Sequence, residues 1–258
     1  MKMTHLTYIK GLLGILMTFA FLIAKGQGDD KVLLCENQLR LIQMSRIEEF
    51  PETGYDLFTV RDKICQIVNE TYDDICSYIF HFSVKHEINS SIQINIPLTA
   101  MLYINCGCTE LIPPPPPFNP FPNGIHIYPT VHDTIYVLQT PTELTELQSR
   151  IIDNYENRPV LSYPMTIFYL YWETEINPEI FRQVINESIY GYLNFVDNFS
   201  IDKFEKNTCE LNKEELAILA DKIPLQFAVT VFDEMNHWNF VPWSTLPPPE
   251  YQTDDKED

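Results

Sequence analysis

The chain has 258 residues, of which 36 are acidic and 17 are lysine or arginine, so its formal net charge at neutral pH is -19. A field of this sign repels nucleic acid and anionic membranes and speeds the association of basic proteins, so we expect no nucleic-acid partner. Apolar residues make up 45% of the chain, enough for one large domain or two small ones.

The N-terminus has the features of a secretory signal peptide. Lys2 and Lys10 precede the uncharged run "GLLGILMTFAFLIA", which is 14 residues long and ends in the small-residue pattern Ala24-Lys25-Gly26. A membrane-spanning helix needs about 20 apolar residues, so the alternative of an uncleaved anchor is the weaker one. We therefore predict a signal peptide over 1–26, secretion to the extracellular space and no membrane insertion.

An even number of cysteines in a secreted chain predicts a disulfide framework. The spacing does not choose the pairs. One residue between Cys106 and Cys108 is too few for a zinc knuckle, so we expect these two to belong to different bridges. The six cysteines are Cys35, Cys65, Cys76, Cys106, Cys108 and Cys209.

Four triplets match the N-glycosylation pattern, which marks surface positions in a secreted protein. We expect all four to lie in exposed loops or at strand ends. Their asparagines are Asn69, Asn89, Asn186 and Asn198.

The first half of the chain is rich in predicted strands. The segments "SYIFHFSV" and "SSIQINIPLTAMLYINC" show the period-two alternation of half-buried strands. After a proline-rich loop at 112–124, "GIHIYPTVHDTIYVL" predicts two further strands, or one that Pro129 interrupts.

The second half alternates predicted helices and strands. Helices are expected to begin at Thr140, at Asn177 and at Asn212, because each carries a capping signal. The second of these is expected to end at Ile185. Between and after the helices, "LSYPMTIFYLYWETE", "SIYGYLNFV" and "LQFAVTVF" are predicted as strands, the first central and the last half-buried.

These elements predict a mainly β, α+β protein. A cysteine-stapled β-sandwich with short helices between strands is a natural way to bury so many strands. We expect a single domain over 27–246, although the proline-rich loop could separate two subdomains. The acidic C-terminal residues 247–258 are predicted to be disordered.

No catalytic motif was found in the sequence. It lacks HExxH, G-x-S-x-G, CxxC and a phosphate-binding glycine loop. His126 and His132 would lie about 20 Å apart on an extended strand, too far for one metal site. We therefore predict no catalytic residues, no metal and no cofactor, with an extracellular enzyme of unrecognised type as the alternative.

The pentapeptide Asp62-Lys63-Ile64-Cys65-Gln66, with Val68 and an acidic turn after it, resembles a stretch of the poxvirus secreted chemokine-binding proteins. The resemblance implies a decoy that binds host chemokines on an exposed sheet face and blocks receptor engagement. A sister group in the same superfamily binds GM-CSF and interleukin-2, which gives a second candidate function. A non-catalytic surface or virion glycoprotein subunit is the third.

The expected partner is a basic host chemokine or cytokine, and aromatic anchors mixed with carboxylates would suit it. The densest such mixture is "FYLYWETE", whose alternate residues share one face of an extended strand. In the alternative, the tyrosines are core and only the glutamates reach water. The predicted contact residues are Tyr169, Tyr171, Glu173 and Glu175, helped by Asp73 and Asp74.

Overall fold

A computed structural model describes residues 34–44, 52–71, 79–88, 92–102, 124–130, 134–138, 140–173 and 176–232. Within these ranges the chain forms one eight-stranded sheet and five α-helices. The strands are β1 Glu52–Asp56, β2 Ile79–Ile88, β3 Ile92–Leu102, β4 Gly124–Pro129, β5 Ile135–Val137, β6 Thr140–Thr142, β7 Ile167–Glu173 and β8 Phe227–Phe232. The helices are α1 Glu36–Gln43, α2 Leu57–Thr71, α3 Leu147–Glu156, α4 Pro178–Phe204 and α5 Lys213–Lys222. Short 3-10 helices span Leu144–Glu146, Val160–Met165 and Thr208–Glu210.

The sheet is mixed, with strand order β1-β2-β3-β8-β7-β4-β5-β6. Four neighbouring strands, β3, β8, β7 and β4, run parallel to one another. The hairpin partners β2 and β5 run antiparallel to β3 and β4. A single sheet whose central parallel strands are joined through helices is an α/β fold. The predicted β-sandwich is therefore wrong.

The error arises mainly from "SIYGYLNFV", which lies inside the 27-residue helix α4 and is not a strand. Its aromatic and β-branched residues favour a strand locally, but the surrounding apolar residues recur at the spacing of a helix face. Gly191 lets α4 approach α3 closely, because a Cβ there would lie 3.1 Å from the Gln148 Cα atom. The buried residues of the face include Phe181, Val184, Ile185, Ser188, Tyr192, Phe195 and Val196.

Helices α2, α3 and α4 pack on the same face of the sheet. On α3, Tyr155 packs against Phe168 of β7, with ring centroids 6.3 Å apart. Further along the sheet, His86 of β2 hydrogen-bonds α4, whose Arg182 in turn lies over the ring of Phe58 on α2. One row of core side chains crosses the sheet on this face, namely Phe82, Leu98, Phe227, Phe168 and Ile125.

Two of the three predicted helix starts are confirmed. The Asn177 side chain accepts a hydrogen bond from the Glu179 amide at the start of α4, and Asn212 caps α5 in a capping box with Glu215. The start predicted at Thr140 is wrong, because Thr140–Thr142 pairs with β5 as strand β6. The third helix, α3, begins only at Leu147.

Most of the predicted strands are confirmed. Strands β2 and β3 form an antiparallel hairpin, and β4 and β5 are separate strands. The central position of β7 is also confirmed, since Phe168 on one face and Tyr169 on the other are both buried. Strand β8 is not half-buried as expected, because Ala228 on its second face is 3% exposed.

A disulfide between Cys35 and Cys209 joins the start of α1 to the connection between α4 and α5. The Asn37 side chain supports this junction by donating hydrogen bonds to the carbonyls of Thr208, at 3.0 Å, and Leu211, at 2.9 Å. Cys65 is disulfide-bonded as well. The remaining predicted bridge residues Cys76, Cys106 and Cys108 lie outside the described residues.

The predicted glycosylation sites differ in their surroundings. Asn69 on α2 and Asn198 on α4 are exposed, although they lie on helices and not in loops. Asn186 does not fit the expectation, because it is half-buried in the middle of α4 and its Oδ1 atom accepts a hydrogen bond from His86. Asn89 lies outside the described residues.

The predicted signal peptide, residues 112–123 of the proline-rich loop and the C-terminal tail also lie outside the described residues. In the part of the chain that is described, no helix combines the length and apolar character needed to cross a membrane.

Removing the Tyr155 hydroxyl should not destabilise the protein. It is fully buried and has no hydrogen-bond partner among the described residues, and such a group costs about 1–3 kcal/mol. We expect Tyr155→Phe to leave the free energy of unfolding unchanged or raise it by about 1 kcal/mol. Tyr192→Phe is the matched control, because the Tyr192 hydroxyl donates a 2.8 Å hydrogen bond to the Ile223 carbonyl. Urea unfolding should show a loss of about 1 kcal/mol for this control, and equal losses in both variants would contradict the prediction.

The stability of the protein should fall between pH 6.5 and pH 4 because of His86. Burial lowers the pKa of His86 from 6.5 to about 4, and the hydrogen bond to Asn186 opposes that shift. The unfolded chain therefore binds a proton in this window that the folded protein does not, which costs at most about 3 kcal/mol. Urea unfolding at several pH values should show a smaller loss in His86→Gln. The control His81→Gln, on the opposite face of β2, should keep the full loss.

Candidate binding face

The second face of the sheet is the one opposite helices α2, α3 and α4. Strand pairing places one row of residues across it, running from β2 to β4. At the β2 end the row is polar, since the His81 ring and the Thr99 hydroxyl share a 3.0 Å hydrogen bond. Towards β4 it becomes apolar and aromatic. The row comprises His81, Thr99, Ala228, Tyr169 and His126.

Five residues of β4 and β7 form a tyrosine–histidine cluster on this face: Gly124, His126, Tyr128, Tyr169 and Tyr171. The His126 ring stacks on Tyr169 at 4.9 Å and on Tyr171 at 5.8 Å between centroids. His126 Nδ1 and the Tyr171 hydroxyl share a 2.7 Å hydrogen bond, and Tyr128 meets Tyr171 edge-on at 6.2 Å. The hydrogen bond and the stacking together hold these rings in one arrangement.

Gly124 makes the cluster possible. A Cβ atom at this position would lie 2.5 Å from Tyr169 Cδ2 and 2.8 Å from His126 Nε2, closer than carbon atoms approach without displacement. The Gly124 carbonyl accepts a 3.0 Å hydrogen bond from Arg158. This bond ties the start of β4 to the end of α3.

The cluster is uncharged at its centre. Tyr169 is 2% exposed. Burial raises the pKa of its phenol well above the ordinary value, and the nearby Tyr171 makes a smaller contribution in the same direction. Tyr169 is therefore neutral at physiological pH and acts as a core residue. Tyr171 is half-buried and directs its hydroxyl to His126.

The structure brings only part of the predicted contact set together. Tyr169 and Tyr171 do share one face of β7, as the alternation predicts, but Tyr169 is too buried to contact a ligand. Glu173 ends β7, where its backbone pairs with Phe232. The predicted contributions of Glu175, Asp73 and Asp74 lie outside the described residues.

The carboxyl ends of the four parallel strands meet at one edge of the sheet, here called the carboxyl edge. Leu102, Phe232, Glu173 and Pro129 end their strands there. Because β2 runs antiparallel to β3, it begins at the same edge with Ile79. The segments next to these strand ends contain eight acidic residues and no lysine or arginine, counted over 72–78, 103–111, 130–134, 173–175 and 233–237.

The cluster residues on β4 were not predicted. His126 was considered only as a metal ligand together with His132, although the pattern Ile-His-Ile-Tyr from Ile125 does place His126 and Tyr128 on one face. The sequence pattern does not show which strand lies beside β4, because that depends on the order of strands in the sheet. Among the described residues, no group of three histidine, cysteine or acidic side chains is arranged to hold a metal ion.

No protein-family model matches the chain, and neither a curated protein nor a solved structure matches it.

Replacing Gly124 should disrupt the cluster. We expect Gly124→Ala to lower the free energy of unfolding by about 3 kcal/mol, the upper end of the usual cost of overpacking a core. The near-ultraviolet circular dichroism of the tyrosines should also change. Gly54→Ala serves as the control: Gly54 has φ +71° but no atom within 4 Å of an added Cβ, so it should lose only about 1 kcal/mol. A smaller loss at Gly124 than at Gly54 would contradict the prediction.

Proposed function

We propose that this protein is a secreted, non-catalytic decoy that binds a basic chemokine-type protein at the carboxyl edge and keeps it from its receptor. The observation that carries the proposal is the charge of this edge. The five segments next to the strand ends contain eight acidic residues and no lysine or arginine. A basic ligand would be attracted to such a surface and oriented by it.

The disulfides support secretion. The bridge between Cys35 and Cys209 closes 174 residues of chain, and Cys65 is bonded too. Bridges of this kind persist in oxidising compartments and are rare in the cytosol. Together with the predicted signal peptide, they favour an extracellular protein.

The architecture supports a site at this edge. In open α/β sheets, ligands bind outside the carboxyl ends of the strands, where loops from several strands meet. Half-buried aromatic side chains lie beside the edge, because Tyr171 and Tyr128 are the cluster members closest to the ends of β7 and β4. They would supply the apolar contacts that charge alone lacks. The buried Tyr169 is left out of the proposed contact set.

Reversing the charge at the end of β7 should weaken binding. We expect Glu173→Lys together with Glu175→Lys to cost at least about 1 kcal/mol of affinity for a basic chemokine. The control is Asp202→Lys with Glu214→Lys, which changes the net charge equally. Asp202 lies near the far end of α4, about 35 Å along the helix from its start beyond β7. Surface plasmon resonance should show normal affinity for the control, and equal losses in both would indicate only a general charge effect.

The ligand class is tested by capture of a chemokine and cytokine panel on the immobilised mature protein. Basic chemokines should bind, and added salt should slow their association more than it speeds their dissociation. Binding only to GM-CSF or interleukin-2 would replace the proposed ligand with the second candidate. Retention of the protein on the producing cell or particle, with no ligand captured, would favour a glycoprotein subunit.

A further inference from the structure

We propose that the second face of the sheet is an intramolecular docking site for the proline-rich connection 103–123, with the five prolines at 113–117 lying across Tyr169 and Ala228. This inference concerns the opposite surface of the sheet from the helices and does not depend on the ligand proposed above.

The topology requires this connection to cross the sheet. Strand β3 ends at the carboxyl edge with Leu102, and β4 begins at the opposite edge with Gly124. The two strands are separated by β8 and β7. From the register, Leu102 aligns with Trp172 through Val231, whereas Gly124 aligns with Ile167. The chain must therefore travel back about 16 Å along the strands and about 14 Å across them.

The handedness of the crossover selects the face. Connections between parallel strands of one sheet are right-handed in nearly all proteins. The connections from β4 to β7 and from β7 to β8 both lead across the sheet toward β3. Their helices α3 and α4 pack on the first face of the sheet, the one that carries Phe168. The route from β3 to β4 moves in the opposite direction. A right-handed crossover then passes over the second face.

Burial on the second face gives independent support. Tyr169 is 2% exposed and Ala228 is 3% exposed, although both point away from α3 and α4. The neighbours that the sheet itself provides, Ile167 and Tyr171, lie beside them and are only partly buried. Side chains at the centre of a sheet become inaccessible only when another layer lies on top of them.

The chemistry of the segment fits the face. A polyproline helix rises about 3.1 Å per residue, so five prolines span about 15 Å, close to the distance that the connection must cover along the strands. Polyproline helices dock on surfaces rich in aromatic rings, at a low cost in conformational entropy. The stacked rings of Tyr169 and His126 form such a surface on β4 and β7.

Hydroxyl-radical footprinting of the full secreted chain tests the proposal. The reference is Tyr136, which is 36% exposed. Relative to it, Tyr169 should be oxidised at least ~10-fold more slowly in the unaltered protein. Replacing all five prolines, Pro113→Ser through Pro117→Ser, should remove at least half of that protection. The matched control replaces the C-terminal prolines, Pro247→Ser through Pro249→Ser, and should leave it unchanged.

Each other outcome overturns the proposal. Unchanged protection in the five-proline variant would mean that another layer covers Tyr169. Loss of protection in the control would identify the C-terminal segment as that layer, and loss on dilution of the unaltered protein would identify a second copy of the chain.

If the five-proline variant fails to fold, the proposal is tested by nuclear magnetic resonance on the unaltered protein. Nuclear Overhauser contacts should connect the Tyr169 ring to proline Hδ protons of 113–117. Contacts from Tyr169 to Trp238 or Trp243 in their place would also overturn the proposal.

Discussion

The packing of helix α4 against the sheet is the constraint on which the rest of the structure depends. This helix is 27 residues long, about 40 Å, and it contacts several separate elements. Its Asn186 accepts a hydrogen bond from His86 of β2. Its Phe195 ring stacks on Tyr155 of α3, with centroids 4.4 Å apart. Its Tyr192 hydroxyl donates a hydrogen bond to the Ile223 carbonyl, directly after α5. Together with α5, α4 forms the connection between β7 and β8, which lie side by side and run parallel.

Most strands of this fold can be predicted from the sequence, but the packing of helices against the sheet cannot. Alternation located β2, β3 and β4, and a run that is apolar on both faces located β7, because both patterns are local properties of the sequence. Taken alone, the residues from Ser188 to Val196 favour a strand. Together with the residues before and after them, they form one apolar face of a helix. The longer pattern prevails, since buried residues recur along α4 from Phe181 to Ser200 and their burial stabilises the helix. A nine-residue window does not contain that information.

The candidate site shows the same limit. The sequence correctly placed Tyr169 and Tyr171 on one face of β7, but it did not reveal that this face meets β4 and Gly124. The burial of Tyr169 depends on what lies above the sheet, and the pattern of residues within β7 does not contain that information. The strand ends were predicted less well: the predicted strand extends over 161–175, whereas β7 spans only Ile167–Glu173.

The net negative charge of the protein is distributed differently over the helices and over the segments at the carboxyl edge. Two carboxylates of the helices have basic partners: Glu179 pairs with Arg182 and Glu215 with Lys206, each at 2.7 Å. Exposed pairs of this kind contribute little to stability, but they reduce the field that a distant cation experiences. The segments at the carboxyl edge contain no lysine or arginine to do the same. Under the proposed function, this difference in charge would direct a basic ligand toward the strand ends and away from the helices.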